Sequence, residues 1–272
     1  MTSNHMTSNH MTGNALPQGR PERILEQLLQ DGEVSVDRLA QSFSVSRSTI
    51  RRNLSELEQQ GLLRRNRGGA IPSVALIYDA FRHLSSFRDQ EDRCAAEKRR
   101  IGLIAASLVA DGDTIAIGAG TTATQVARAI RHRKGITVLT NAINIAMELS
   151  HLPEINVCMT GGFLSEGWFA LVGDMAQRAA GEIFVDKAFI GLDGIHPELG
   201  LMTNYPQQAA IHRTMLMRAR QRIAVADHRK IGAVAASLIC RCEAINCLIT
   251  DKGTRDEETA LFAEKNVSVL RG

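Results

Sequence analysis

No apolar run in the 272-residue sequence approaches the roughly 18 residues that a membrane-spanning helix needs, so a membrane partner is not expected. The opening residues, MTSNHMTSNHMTGN, lack the basic stretch and apolar core of a secretory signal. They are a repeated and degraded pentapeptide, and residues 1–19 read as a disordered segment. Cysteine is sparse and odd in number, five in all, which excludes a disulfide framework and suits reduced thiols in the cytoplasm. Cys240, Cys242 and Cys247 have no second ligand pair at zinc spacing. The histidines His83, His132, His151, His196 and His228 share no metal-ligand spacing either. Neither a metal nor a cofactor is expected. With 44% apolar and 22% charged residues, the composition is that of a soluble globular chain, long enough for one small and one medium domain.

The net charge of +3 is small, but its distribution is uneven. Between Ser46 and Ala70 stand six arginines, Arg47, Arg51, Arg52, Arg64, Arg65 and Arg67, against Glu56 and Glu58. Upstream, PERILEQLLQDG places Ile24, Leu25, Leu28 and Leu29 on one helical face and ends at Asp31-Gly32. SVDRLAQSF predicts a second short helix capped by Ser35, with Val36, Leu39, Ala40 and Phe43 turned inward. SRSTIRRNLSELEQQG predicts a third, capped by Ser46, with Ile50, Leu54 and Leu57 buried, and Arg47, Ser48, Thr49, Arg51, Arg52 and Asn53 on the outer face. Two short helices joined by a tight turn match a helix-turn-helix, whose second helix enters the major groove of duplex DNA. The continuation LLRRNRGGAIP predicts a short hairpin, a wing whose arginines can meet phosphates or the minor groove.

The segment SVSRSTIRRNLSELEQQGLLRRNRGGA closely resembles the N-terminal signature of the DeoR family of bacterial transcriptional regulators. Two positions depart from it: that family commonly has aspartate where Asn53 stands and histidine where Arg67 stands. Both changes add positive character. The resemblance implies that Arg47, Ser48, Thr49, Arg51 and Arg52 face the groove and Arg64, Arg65 and Arg67 the backbone of an operator. The DNA-binding domain is expected over residues 20–72 and a linker over 73–94. In the resembling family an aromatic and an arginine near here tie the linker to the sensor domain, and Phe87-Arg88 is the candidate pair.

From 95 to 272, helical stretches alternate with the short apolar runs TIAIG, ITVLT, INVCMT, KAFIGL, RIAVA and INCLIT. That alternation predicts an α/β domain with a mostly parallel sheet covered on both faces, and ligands outside the strand carboxyl ends. The first such end reads IGAGTTATQVA. There Gly118 and Gly120 permit a close turn, and the N–H groups of Thr121 and Thr122 open a helix whose dipole favours an anion. The loop has neither the Gly-Lys-Ser/Thr ending of a Walker loop nor a full G-x-G-x-x-G, and a purely structural turn fits it equally well. LVADGDTIAIGAGTT, VLTNAINIA, MTGGFLSEGWFALVGDMA, KAFIGLDGI, GLMTNY and VADHRKIG follow in the order and spacing of the DeoR-family sensor domain. The resemblance therefore runs from Pro21 onward. It implies a fold similar to ribose-5-phosphate isomerase and coenzyme A transferase, and a phosphorylated sugar or related effector held by Gly118, Gly120, Thr121 and Thr122. Thr140, Asn141, Gly161, Gly162, Asp193, Gln208 and Lys230 are expected to complete the pocket.

An isomerase would need a carboxylate to move a proton and a cation to hold the developing oxyanion, for which Asp193 and Lys230 are the candidates. Where the family often has acidic residues, GLMTNYPQQAAIH carries Gln207, Gln208 and Ala210, and His212 replaces a frequent lysine. An amide is no general base, so a sensor is expected rather than an enzyme. Fewer carboxylates around the anion site would suit a sugar-acid phosphate. Trp168 reads either as a cover for the ligand or as partial core. One small DNA reader makes few contacts, so a homo-oligomer, a dimer or tetramer, is expected on a double-stranded operator.

Overall fold

The structure is a computed structural model that describes residues 19–59, 61–73, 85–165 and 168–272. The repeated opening, His83 and the linker stretch 74–84 lie outside the described residues, as do the side chains of Leu29 and Arg88. The chain divides into two compact units, residues 1–80 and 81–272.

The first unit packs helices α1 (Arg20–Asp31), α2 (Val36–Ser42) and α3 (Arg47–Gln59) around Ile24, Leu28, Leu39, Ile50, Leu54 and Leu57. The helix ends follow from the caps. Gly32, left-handed at φ 74°, closes α1 with its N–H on the Leu28 carbonyl. Ser35 accepts from the Arg38 N–H at 3.2 Å to start α2, and Ser46 accepts from the Thr49 N–H at 3.2 Å to start α3. Strands β2 (Leu63–Asn66) and β3 (Gly69–Pro72) form the expected hairpin. A strand that the periodicity does not reveal, β1 (Val34–Ser35), adds to β3, giving a three-stranded antiparallel wing in the order β1-β3-β2. Asn53 corrects the expected outer face: it is buried, and its amide donates to Glu56 Oε2 at 3.5 Å.

The second unit begins with helices α4 (Ser85–Asp92) and α5 (Ala95–Ser107). There follow β4 (Thr114–Ile117), α6 (Thr121–Ala129), β5 (Ile136–Thr140), α7 (Ile143–Leu149) and β6 (Ile155–Met159). A small hairpin, β7 (Phe163–Leu164) with β8 (Leu171–Val172), precedes α8 (Asp174–Glu182) and β9 (Val185–Gly191). Next come β10 (Gly194–His196), β11 (Gly200–Thr203), α9 (Pro206–Met217) and β12 (Ala219–Val225). The chain closes with β13 (Ser237–Cys240), β14 (Cys247–Thr250), α10 (Asp256–Ala263) and β15 (Ser268–Arg271).

Seven strands form one wholly parallel sheet in the order β15-β14-β12-β9-β4-β5-β6, and β10, β11 and β13 make a separate antiparallel sheet. The core is aliphatic, drawn from β4, β5, β9, β12 and β14 and the helices covering them. Strand order reverses at β4: β5 and β6 extend one way, then β9 returns to the other side. Such a reversal opens a crevice at the carboxyl ends of the two diverging strands. Here those ends are the loop 118–120 after β4 and Gly191 at the end of β9.

Candidate functional site

Helix α6 starts where β4 ends. Gly120, at φ 143° and ψ 155°, occupies backbone that a side chain rarely tolerates, and its open side faces the Gly191 Cα. The first-turn N–H groups of Thr121 and Thr122 have no acceptor within the helix and carry the positive end of its dipole. Neighbouring strands hold the loop in place. The Gly118 N–H donates to the Phe189 carbonyl at 3.0 Å and the Ala119 N–H to Asn141 Oδ1 at 3.0 Å. Thr140 Oγ1 donates to the Ile117 carbonyl at 2.7 Å, and the Gln208 amide donates to the Ala119 carbonyl at 3.2 Å.

Around this helix start lies a cleft that opens into solvent. Gly120, Thr121, Thr122, Asp193, Gln208 and Lys230 line it, six of the eleven residues expected from the sequence. Thr140 and Asn141 sit behind it, fully buried and bonded to the loop, so they shape the cleft without lining it. Gly118 is likewise behind, against His212. Gly161 and Gly162 follow β6, the edge strand two places from β4, and do not reach the cleft.

Two lysines supply positive charge. Lys230 lies 3.6 Å from Asp193 Oδ1, while Asp193 Oδ2 accepts from Thr203 Oγ1 at 2.9 Å and from the Asn204 N–H at 3.0 Å. Lys98 was not anticipated. It is 2% exposed on α5, its Nζ donates to the Gln90 carbonyl, and burial pulls its pKa from 10.5 to about 8. Its depth follows from the contact of α5 with α6: a Cβ at Gly102 would meet the Gln125 carbonyl oxygen at 2.6 Å, an approach only glycine allows. The sequence does contain a signal, a lysine in register with buried Ile101, Gly102 and Ala105 on one helical face. Asp227 also lines the cleft, fully buried. Burial would raise its carboxyl, but the bonds from Arg229 at 2.8 and 3.1 Å together with the positive charges of Arg229, Lys98 and Lys230 outweigh that and hold it below the ordinary carboxylate range. Trp168 borders the cleft and packs on Tyr205, with ring centroids 5.2 Å apart.

In the first unit, Arg51, Arg52, Arg64 and Arg67 are exposed, and Arg51, Arg64 and Arg67 have no ion-pair partner among the described residues. Arg52 stands 3.8 Å from Glu56. Arg47 is held by Asp37 at 2.8 Å, beside a hydroxyl cluster in which Ser46 Oγ meets Ser48 Oγ at 2.7 Å and Thr49 Oγ1 at 2.9 Å. Arg65 turns back to α3 and donates to Ser55 Oγ at 2.7 Å, so the three wing arginines do not form one row. Among the described residues no helix is long and apolar enough to cross a membrane, and no group of three or more His, Cys, Asp or Glu side chains is placed to hold a metal ion.

Residues 20–73 match the DeoR-like helix-turn-helix domain, and residues 93–252 match the DeoR C terminal sensor domain. The chain belongs to the DeoR family. Among its relatives, the transcriptional repressor AccR of Agrobacterium fabrum is 33% identical over 88% of this chain and 91% of its own length. The HTH-type transcriptional repressor GlcR of Bacillus subtilis is 34% identical over 91% and 93%. Ribose 5 phosphate isomerase A from Neisseria gonorrhoeae is similar over 49% of this chain and 52% of its own, at 16% identity and a TM-score of 0.36, too distant to speak to activity. As a DeoR-family protein, the chain is a DNA-binding transcriptional regulator and not an enzyme.

Proposed function

We propose that this DeoR-family regulator is a cytoplasmic repressor of carbohydrate-metabolism genes whose operator binding responds to a phosphorylated sugar or sugar-acid in the cleft at the start of α6. The observation that carries the reading is the convergence there of the free N–H groups of Thr121 and Thr122 with Lys98 and Lys230. Asp193 is already engaged by Thr203, the Asn204 N–H and Lys230, and Gln208 holds the Ala119 carbonyl. The cleft is thus equipped to grip an anion, and the two candidates for proton transfer, Asp193 and Gln208, are already engaged.

In the first unit, Arg47, Ser48, Thr49, Arg51 and Arg52 are assigned to the groove, and Arg64, Arg65 and Arg67 to the DNA backbone. The relatives AccR and GlcR are named repressors, which supports the sign of regulation. A dimer or larger homo-oligomer presents two readers to an operator, and effector binding acts by favouring an arrangement whose readers no longer fit the half-sites. The test is fluorescence anisotropy with duplexes from the DNA flanking the protein's own gene, titrated with phosphorylated sugars, phosphorylated sugar acids and their unphosphorylated counterparts. At least one phosphorylated compound is expected to release the DNA and raise the melting temperature. A panel that alters neither would defeat the reading, and neutral sugar phosphates outperforming sugar-acid phosphates would remove the sugar-acid assignment.

A further inference from the structure

Resting on the reading of the cleft as an anion site, we propose that an anion bound at Thr121 and Thr122 tightens the docking of α4 through the ammonium of Lys98, making α4 the element on which cleft occupancy acts.

Lys98 serves two elements at once. Its Nζ donates to the carbonyl of Gln90, in the last turn of α4, where carbonyls lack donors from their own helix and the dipole favours a cation. Lys98 and Gln90 also line the cleft, together with Thr121 and Thr122. The ammonium has three N–H donors, and the Gln90 carbonyl is the one acceptor it engages among the described residues. Among the described residues no carboxylate lies within ion-pair distance of it, and the nearest counter-charge is the field of Asp227 in the same cleft. A cation that is 2% exposed with one neutral acceptor is incompletely solvated by the protein. An anion at the start of α6 adds to the counter-charge of Asp227, favours the protonated amine and strengthens its charge-assisted bond to Gln90.

Helix α4 has two further anchors that need no ligand. Phe87 is fully buried and sits edge-on to Trp168 and Phe169, with centroids 6.3 and 5.1 Å away. Glu91 pairs with Arg128 at 2.8 Å, and Arg128 also pairs with Glu148. The third anchor, Lys98 to Gln90, is the one whose strength depends on the cleft. In chain order α4 is also the first described element after the wing strand β3. By reciprocity, whatever firms α4 also raises anion affinity.

Hydrogen exchange on the full-length protein tests this, with inorganic phosphate as the probe against chloride at equal ionic strength. Phosphate is expected to slow exchange in peptides covering 119–125 and, together with them, in those covering 87–96. The second effect should reach at least about fivefold, the low end of ordinary coupling. Protection confined to 119–125 overturns the coupling while leaving the anion site intact. Protection at neither segment removes the anion-site reading and the coupling with it. In Lys98→Met, phosphate should still protect 119–125 at higher concentration and no longer protect 87–96. A persistent response at 87–96 would show that Lys98 is not the link. Arg128→Met, which removes the Glu91 ion pair and leaves both the lysine and the cleft lining in place, should retain both responses, and its loss of the 87–96 response alone would assign the link to that ion pair instead. Should Lys98→Met fail to fold, the two segments of the wild-type protein and of Arg128→Met still decide.

Discussion

Replacing His212 with leucine removes a buried imidazole while changing side-chain volume little. The ring lies on α9 behind the loop 118–120, 1% exposed, and neither ring nitrogen has a hydrogen-bond partner among the described residues. Burial pushes its pKa from 6.5 down to about 4, opposed only by the field of Asp193. The unfolded chain therefore takes up a proton near pH 6.5 that the native protein refuses until about pH 4. The contribution of the neutral ring is intact above pH 6.5 and is lost progressively as pH falls towards 4. At pH 5 the loss integrates to about 2 kcal/mol, at about 1.4 kcal/mol per unit over the interval from 6.5. Trp168 is the sole tryptophan and lies in the second unit, so its fluorescence follows the unfolding of that unit. Urea unfolding of wild type and His212→Leu at pH 7.5, 6 and 5 measures the difference directly, since every other acid-sensitive group is common to both. Wild type should lose about 2 kcal/mol more than the variant between pH 7.5 and 5. Parallel profiles would refute the argument, showing that the ring finds a partner or takes up its proton in the folded state.

Three other outcomes follow from the same geometry. Arg64→Gln and Arg67→Gln should each lower the slope of log affinity against log salt for duplex DNA by about 0.9 per lost phosphate contact, as read by anisotropy at several salt concentrations. Unchanged slopes would take these residues off the backbone. Asp37→Asn should free Arg47 from its 2.8 Å ion pair and raise DNA affinity at low salt by up to about fivefold, the worth of one exposed pair. Gly120→Val places a β-branched side chain at φ 143°, which should cost about 1–3 kcal/mol of stability and abolish any melting-temperature shift by phosphorylated ligands. A variant that still responds would move the anion elsewhere.

The parts of this protein governed by local rules are legible in its sequence. Ser35, Ser46 and Gly32 end or begin helices because short hydroxyl side chains and glycine satisfy backbone groups wherever they stand. Alternating apolar runs give the parallel strands for the same reason. What escapes is set by tertiary contact. Strand β1 is two residues long and exists because β3 offers it an edge. Asn53 has the helical phase of its exposed neighbours closely enough to pass for one of them, yet it packs inward. Thr140 and Asn141 stand at a strand end, as ligand-binding residues do, but the nearest groups that need them are the Ile117 carbonyl and the Ala119 N–H. Lys98 and Gln90 precede the first strand of the domain, so a search confined to strand ends passes over them.

Gln208 shows why gripping an anion and moving a proton separate in this cleft. An amide at this position donates to the Ala119 carbonyl from across the domain, 89 residues along the chain, and so fixes the loop that sets Gly120 and the start of α6. A carboxylate there has no proton to give that carbonyl, and its charge would oppose an anion at Thr121 and Thr122. The atom that disqualifies residue 208 as a base is the one that fixes the anion loop. Asp193, the other candidate base, is spoken for by Thr203, Asn204 and Lys230. Proton transfer from a bound sugar would require Asp193 to leave three partners while Gln208 kept the loop in place. Binding requires neither to move, and a regulator needs only binding, provided that its DNA-competent and DNA-incompetent states differ in affinity for the ligand.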